Sequence, residues 1–282
     1  MGYTLSIPDL DYNYAVRRIK TFIKDKVEEA GMKGVVIGLS GGLDSSVTAV
    51  LAVRALGKER VFGLLMPEES TTPLQDIEDA LELCGKLGIK HQTVNITRIY
   101  KEIKKSIPFY MEKDRVASGN ILARIRMMIW YYHANINRLL VCGTSDRSEL
   151  LLGYFTKYGD GGVDILPLGD IYKTQVRILA KKIGLPENIY LKPSSPRFWP
   201  GHLAEQELGM SYEIVDTILH LYFDLRMDIE RVIKKTNIER ETVSKVINRV
   251  LRNEHKRMMP PIPKIQGFSL QTEWWMPWNP SA

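Results

Sequence analysis

The run Gly34–Leu39 (GVVIGL) is apolar and partly β-branched. It leads without a break into Ser40-Gly41-Gly42-Leu43-Asp44-Ser45-Ser46, and from Ser45 to Leu56 apolar residues recur before Gly57. A buried strand, a turn rich in glycine and hydroxyls, and a helix in immediate succession leave few folds open. Such a strand belongs to a parallel sheet with helices on both faces, and its turn stands at the strand's carboxyl end. There the free N–H groups and the dipole of the following helix favour an anion such as phosphate. Gly41 and Gly42 let the backbone approach closely and reach positive φ. Ser40, Ser45 and Ser46 add hydroxyl donors. No lysine follows, so this is not the GxxxxGK(S/T) phosphate loop. Asp44 would repel a phosphate unless a cation stood between them. Mg²⁺ is the natural choice, because it takes one or two carboxylates together with phosphate oxygens. The plainer reading, a helix cap with glycines for tight packing, does not account for a carboxylate placed among three hydroxyls.

The remaining chain repeats the alternation. Helices are expected over 14–30, 45–56, 75–87, 121–135 and 174–183, and strands over 34–39, 61–66, 91–96 and 139–142. This pattern predicts an α/β fold, a parallel sheet with helices on both faces. Ligands in such sheets bind beyond the carboxyl ends of the strands, and Gly143-Thr144-Ser145-Asp146 marks a second such end. Ser106–Gly119 is polar and is expected to be a connection. Lys157–Gly169, with four glycines, and Lys192–Gly201, with three prolines, are expected to be long functional loops. From Met210 the pattern is helical. The tail beyond Pro260 carries Trp274, Trp275 and Trp278 and is expected to dock on the body or on a second subunit. Met127, Met128 and Trp130 are expected in the core. The chain reads as a single domain of residues 1–282, with a nucleotide-binding core over about 15–200 and C-terminal helices and tail over about 201–282.

Composition excludes several classes. Cys84 and Cys142, the only cysteines, sit in apolar surroundings and form no CxxC pair, so they are expected to be reduced core residues. No stretch of about twenty apolar residues and no signal-like start are present, so the protein is expected to be cytoplasmic, with no membrane association. The net charge of +6 suits a polyanionic small molecule and does not by itself call for nucleic acid.

SGGLDSS resembles the pyrophosphate loop of the N-type ATP pyrophosphatases, enzymes that activate a substrate by transferring AMP from ATP. The rest of the chain narrows the resemblance. Gly119–Met127 (GNILARIRM), Gly143–Leu150 (GTSDRSEL), Gly153–Gly161 (GYFTKYGDG), Pro167–Thr174 (PLGDIYKT), and Trp199-Pro200-Gly201 leading to Glu205–Gly209 are similar to the ammonia-dependent NAD synthetase family. The similarity thins in 106–116 and in the tail.

The resemblance implies a Rossmann-like fold of the adenine nucleotide α-hydrolase type and an ATP-dependent ligase that amidates nicotinic acid adenine dinucleotide (deamido-NAD) with ammonia. The products are NAD, AMP and pyrophosphate, the path runs through an adenylated intermediate, and the reaction is the last step of NAD biosynthesis. It implies that Gly38, Leu39, Ser40, Gly41, Gly42, Leu43, Asp44, Ser45 and Ser46 cradle the ATP phosphates, joined by Thr144, Lys173 and Ser195. Ser195 stands where the family commonly has threonine, with Ser194 as its alternative. Asp44 and Glu149 match Mg²⁺ ligands. Arg124, Lys157, Asp164, His255 and Lys256 match deamido-NAD contacts. Ammonia is mostly ammonium at neutral pH, and a carboxylate must take its proton before it can attack. Asp160 is the first candidate and Asp164 the second. Glutamine-using relatives carry an added amidase domain for which these motifs leave no room, so free ammonia is the expected donor. The family also implies a homodimer. A GMP synthetase-like subunit, a tRNA-modifying enzyme and a non-catalytic ATP sensor are the competing readings. The GYFTKYGDG and GNILARIRM segments speak against the first and the two unclustered cysteines against the second. Asp44, Glu149, Lys157 and Lys173 occurring together speak against the third.

Overall fold

The fold is that of a computed structural model, described for residue 5, residues 7–265 and residue 267. Four strands, β1 (Gly34–Gly38), β2 (Val61–Leu65), β3 (Lys90–Thr93) and β4 (Leu139–Val141), form one sheet in the order β3-β2-β1-β4. Every pairing is parallel, with Val36 opposite Phe62 and Val141 in register. Parallel neighbours need crossovers, and helices supply them. The crossovers run first to one side, from β1 to β2 to β3, and then jump back to place β4 on the free edge of β1. The order therefore reverses between β1 and β4, which is where ligands bind in such sheets.

Side-chain alternation along β1 divides the core. Val35 and Ile37 enter a cluster with α1 (Tyr12–Glu29), α2 (Leu43–Leu56), α3 (Leu74–Leu87) and α7 (Lys173–Lys182). Val36 faces the opposite way, into a cluster with α4 (Thr97–Ser106), α5 (Arg115–Asn137) and β4. Both sheet faces are thus covered, which is why β1 and β2 read as continuous apolar runs. Ile23, Ile37, Leu51 and Leu64 are fully enclosed. Each such side chain contributes roughly 1.5–3 kcal/mol of burial free energy. α1 shows the local logic: Asp11 caps it by accepting from Asn13 N and Tyr14 N, and Ala15, Ile19, Ile23 and Val27 place its buried face every fourth residue. β3 is exposed throughout and carries Lys90, His91 and Gln92, a composition that protects a sheet edge.

The other helices are α6 (Arg147–Leu152), α8 (Glu187–Tyr190), α9 (Ala204–Leu208), α10 (Tyr212–Leu219), α11 (Ile229–Thr236), α12 (Arg240–Arg252) and α13 (Glu254–Arg257). Helices α9 to α12 gather around a third apolar cluster that includes Tyr212, Ile218, Val232 and Val246. Cys84 and Cys142 are both buried and free, as expected. Among the described residues no helix is long and apolar enough to cross a membrane.

Some sequence expectations need correction. The third strand spans Lys90–Thr93 rather than 91–96, and Ile96 is a buried residue leading into α4. The connection expected at Ser106–Gly119 shrinks to 107–114, because Asp114 accepts from Ala117 N and starts α5 four residues before Gly119. Ser118 and Gly119 are polar or small because α5 is approached closely there. Tyr110 Oη lies 2.6 Å from Ser118 Oγ, and the Phe198 ring lies where a Cβ on Gly119 would meet it at 2.1 Å. Met128 is 53% exposed, whereas Trp130 packs against the core and also lines the cavity, so the expected core trio holds only in part. Trp274, Trp275 and Trp278, expected to dock on the body or on a second subunit, lie outside the described residues.

Candidate active site

A cavity of about 230 Å³ opens beyond the carboxyl ends of β1, β2 and β4. One wall is the loop between β1 and α2. Gly38, Leu39, Ser40, Gly42, Leu43, Asp44 and Ser45 line it, while Gly41 and Ser46 do not. Gly41 takes φ +71°, and a Cβ there would meet Asp76 O at 2.0 Å, so the turn requires glycine. Leu39 and Leu43 are core residues, and Leu39 N is spent on Leu64 O in the sheet. Ser46 Oγ donates to Gly42 O at 2.7 Å and acts as a brace. Ser40 Oγ and Ser45 Oγ lie 3.1 Å apart. The N–H groups of Leu43, Asp44 and Ser45, at the start of α2, find no acceptor among the described residues. A first helical turn with free donors at a cavity wall suits phosphate.

Behind that wall lies a cluster of four charges. Lys173 Nζ stands 2.7 Å from Asp44 Oδ2, 2.8 Å from Asp146 Oδ2 and 2.9 Å from Glu149 Oε1. Lys173 is fully enclosed and does not reach the cavity, whereas Asp44 and Glu149 line it. Asp146 Oδ1 caps α6 by accepting from Glu149 N at 2.9 Å, which fixes Glu149 in the first turn. Burial pushes the Glu149 carboxyl well up, Lys173 notwithstanding, and it raises Asp146 in the same way. Burial alone would discharge Lys173, but the three carboxylates outweigh it and keep it charged. Three carboxyl groups crowd one ammonium, and Asp44 Oδ1 has no hydrogen-bond partner among the described residues. Two hard oxygen donors facing a phosphate loop fit a Mg²⁺ shared with phosphate. Among the described residues no group of three or more His, Cys, Asp or Glu side chains is arranged to hold a metal alone.

The opposite wall holds Asp160, Arg126 and Tyr154. Asp160 Oδ1 accepts from Thr156 N at 2.8 Å, and burial raises its carboxyl despite that bond. Arg126 donates from Nε to Met66 O at 3.2 Å, and its charge faces Asp160 and Glu68. Of the two arginines of GNILARIRM, the family resemblance points to Arg124. A two-residue step on a helix turns the side chain by roughly 200°, so only one arginine can face the cavity, and it is Arg126. Arg124 is exposed and donates to Lys157 O at 3.3 Å.

Arg124, Lys157, Asp164, His255 and Lys256 all lie off the cavity wall. Four of them gather around the 153–160 loop. Lys157 Nζ donates to His255 O at 2.6 Å, and Lys256 Nζ donates to Gly153 O and Phe155 O at 2.6 and 2.9 Å. They form a basic rim, and the charge of Lys256 is felt at Asp160. Asp164 is used differently. It accepts from Val141 N at 2.7 Å and Tyr131 Oη at 3.0 Å, bracing the end of β4, so it is not placed to receive a proton in the cavity.

The 192–203 segment closes the remaining side. Lys192 Nζ donates to Gly41 O at 2.6 Å and pairs with Asp76 and Asp79, and Arg197 pairs with Asp76. Lys192 holds the Asp79 carboxyl below its ordinary value, although burial opposes this. Thr144, Ser194 and Ser195 line the cavity. Ser195 Oγ donates to His202 O, while Ser194 Oγ is buried without a partner among the described residues. Sequence reading passed over Arg126, Asp146, Lys192 and Arg197. Lys192 and Arg197 carry no local signal, because their partners lie more than one hundred residues away.

A parallel α/β fold with a loop of free N–H donors and an acidic cluster at its switch point has the features of a nucleotide-using enzyme scaffold. The NAD synthase family matches residues 15–260, and the chain belongs to that family. The ammonia-dependent NAD synthetase of Staphylothermus marinus is 49% identical over 92% of this chain and 94% of its own. Among solved structures, an NMN synthetase from Francisella tularensis matches with TM-score 0.79 and 32% identity, over 91% of this chain and all of its own. The ammonia-dependent NAD synthetase of Campylobacter jejuni, solved with a nitrate ion, matches with TM-score 0.76 and 34% identity, over 90% and 100%.

Proposed function

We propose that the protein is an ammonia-dependent NAD synthetase, a ligase that converts deamido-NAD, ATP and ammonia to NAD, AMP and pyrophosphate. The observation that carries the reading is one cavity with a phosphate loop on one wall and a desolvated carboxylate, Asp160, on the other. The free N–H groups at the start of α2 receive the ATP phosphates. The nicotinate carboxylate attacks the α-phosphorus, pyrophosphate leaves, and an acyl adenylate remains. Arg126 offsets the charge that gathers there. Positioning and charge compensation supply most of the rate in such a transfer. Ammonia then attacks the acyl carbon, its surplus proton passes to Asp160, and AMP departs. A carboxyl raised by burial is a better base than a solvated one.

Asp44 and Glu149 would hold Mg²⁺, which when bound neutralises phosphate charge and aids departure of pyrophosphate. Lys173 keeps those two carboxylates apart and aimed at the cavity. The basic rim of Arg124, Lys157, His255 and Lys256 suits the second pyrophosphate-bearing substrate, deamido-NAD. Thr144 and the serine pair Ser194 and Ser195 suit ATP. The whole chain acts as one synthetase domain. A homodimer is supported by Met128, Tyr132 and Ile136, which recur every fourth residue on α5 and are all more than half exposed. An apolar stripe of that kind is partner material. Sedimentation velocity at micromolar concentration gives the mass of a dimer on this reading and of a monomer otherwise.

The deciding experiment follows AMP release and NAD formation with Mg²⁺, ATP and deamido-NAD, supplying ammonium in one arm and glutamine in another. A third arm offers nicotinic acid mononucleotide in place of deamido-NAD, because the fold is shared with an NMN synthetase. NAD formed with ammonium alone is the expected result. Amidation of the mononucleotide only would reassign the substrate, and ATP binding without turnover would reassign the protein as a sensor.

A further inference from the structure

Helix α7 begins at Lys173, and the first N–H groups of a helix have no acceptor within it. The preceding residue, Tyr172, offers no side-chain cap to them. Instead Lys173 N donates to Ser148 Oγ at 2.9 Å, and Thr174 N donates to Asp216 Oδ2 at 2.9 Å. Thr174 Oγ1 donates to the same Asp216 oxygen at 2.7 Å, and Ser148 Oγ donates to Asp216 Oδ1 at 2.5 Å. One carboxylate on α10 therefore caps α7 and grips the second residue of α6. Asp216 and Ser148 are fully buried, and among the described residues Asp216 has no cationic partner. Its neighbours Val215, Ile218 and Leu219 are fully buried apolar residues. A carboxyl group in that layer is costly unless its contacts are worth the desolvation. All three of its donors sit on Ser148 and Thr174, and those residues adjoin Glu149 and Lys173.

We propose that Asp216 is a positioning residue for ATP. By holding Ser148 and Thr174 it sets the spacing between the starts of α6 and α7, and with it the placement of Glu149 and Lys173 behind the phosphate loop. The inference rests on the reading of that loop as the ATP site. Asp216 lies outside the cavity and acts only through these two neighbours.

The test measures Mg·ATP binding by titration calorimetry without deamido-NAD, so that no turnover occurs, in the full chain and in Asp216→Asn and Ser148→Ala. Asn keeps the shape but places an N–H₂ toward one of the donors. Binding should weaken by roughly tenfold in Asp216→Asn, the scale of a lost helix cap, and by less in Ser148→Ala. Binding of deamido-NAD alone, measured in the same way, should stay within about twofold. An equal loss for both ligands would mean general loosening and would overturn the proposal. So would Mg·ATP affinity within about twofold of the wild type in folded variants. If Asp216→Asn does not fold, Ser148→Ala decides alone. Failure of the synthetase reading shows elsewhere, as absence of NAD from the wild-type protein, and leaves this ATP comparison intact.

Discussion

Replacing Asp216 by Asn should flatten part of the pH dependence of stability. Burial pushes the Asp216 carboxyl from its ordinary value of 3.8 up to about 7, against the three donors from Ser148 and Thr174. Neutral donors recover only part of the solvation that a carboxylate loses in an apolar layer. Between those two values the folded chain keeps a proton that the unfolded chain has released. Stability from this group is therefore full below pH 3.8 and is lost as pH rises through about 7. Each unit is worth about 1.4 kcal/mol, so a shift of roughly three units bounds the contribution near 4 kcal/mol. Between about pH 5 and about pH 8 the wild type loses about 2.6 kcal/mol of it. Asn cannot titrate, and its lost hydrogen bond subtracts a nearly constant amount at both values. Urea unfolding of both proteins at the two pH values, at matched ionic strength, reads the difference directly. The wild-type advantage should be larger at the lower pH by about 2–3 kcal/mol. A constant advantage, within about 0.5 kcal/mol, would refute the reasoning. So would one that grows with pH, since Asp216 would then be ionised and stabilised by its donors.

Three further outcomes follow from the site. Asp160→Asn should slow amidation by about 10²–10⁴-fold while the pyrophosphate burst in a single turnover without ammonium is unchanged; equal loss in both steps would remove Asp160 from the proton-acceptor role. Lys173→Met strips the cation that stands between Asp44, Asp146 and Glu149. It should cost about 3–5 kcal/mol of stability and abolish tight Mg·ATP binding, and wild-type behaviour in thermal melts and calorimetry would contradict the cluster's importance. Gly119→Ala sets two effects against each other: helix propensity favours Ala by roughly 0.5–1 kcal/mol, but overpacking costs about 1–3 kcal/mol. The added Cβ meets the Phe198 ring at 2.1 Å, so the net change should be destabilising, with a raised KM for ATP as the 192–203 segment is pushed aside; a stabilised variant would show that the segment yields freely.

Much of this architecture was legible because it is written locally. Alternating apolar runs and helical periods located β1, β2, β4 and α1, α2, α3 and α7 to within a few residues. The Gly34–Ser46 segment announced the sheet type and the place of the turn that lines the cavity. The misses share a cause. α4 is strongly amphipathic, yet its lysines and short length hid it, and the polar residues before Gly119 looked like loop because their small size serves contacts with Tyr110 and Phe198. Asp164 is expected as a ligand contact by its position in a motif, and only the folded chain shows that it also accepts from Val141 N and Tyr131 Oη.

The sequence by itself determined the fold class, the glycine- and serine-rich turn after β1 and the residue types available at the site, since each depends on a few neighbouring positions and on periodicity. Only the tertiary structure decided which charges meet. Lys173 gathers Asp44, Asp146 and Glu149, Lys192 reaches back to Gly41, and Asp216 caps a helix from another layer. Such contacts join residues dozens to more than a hundred positions apart, and their strength depends on exclusion of water. Burial of that kind belongs to the packed molecule and leaves no local mark in the chain.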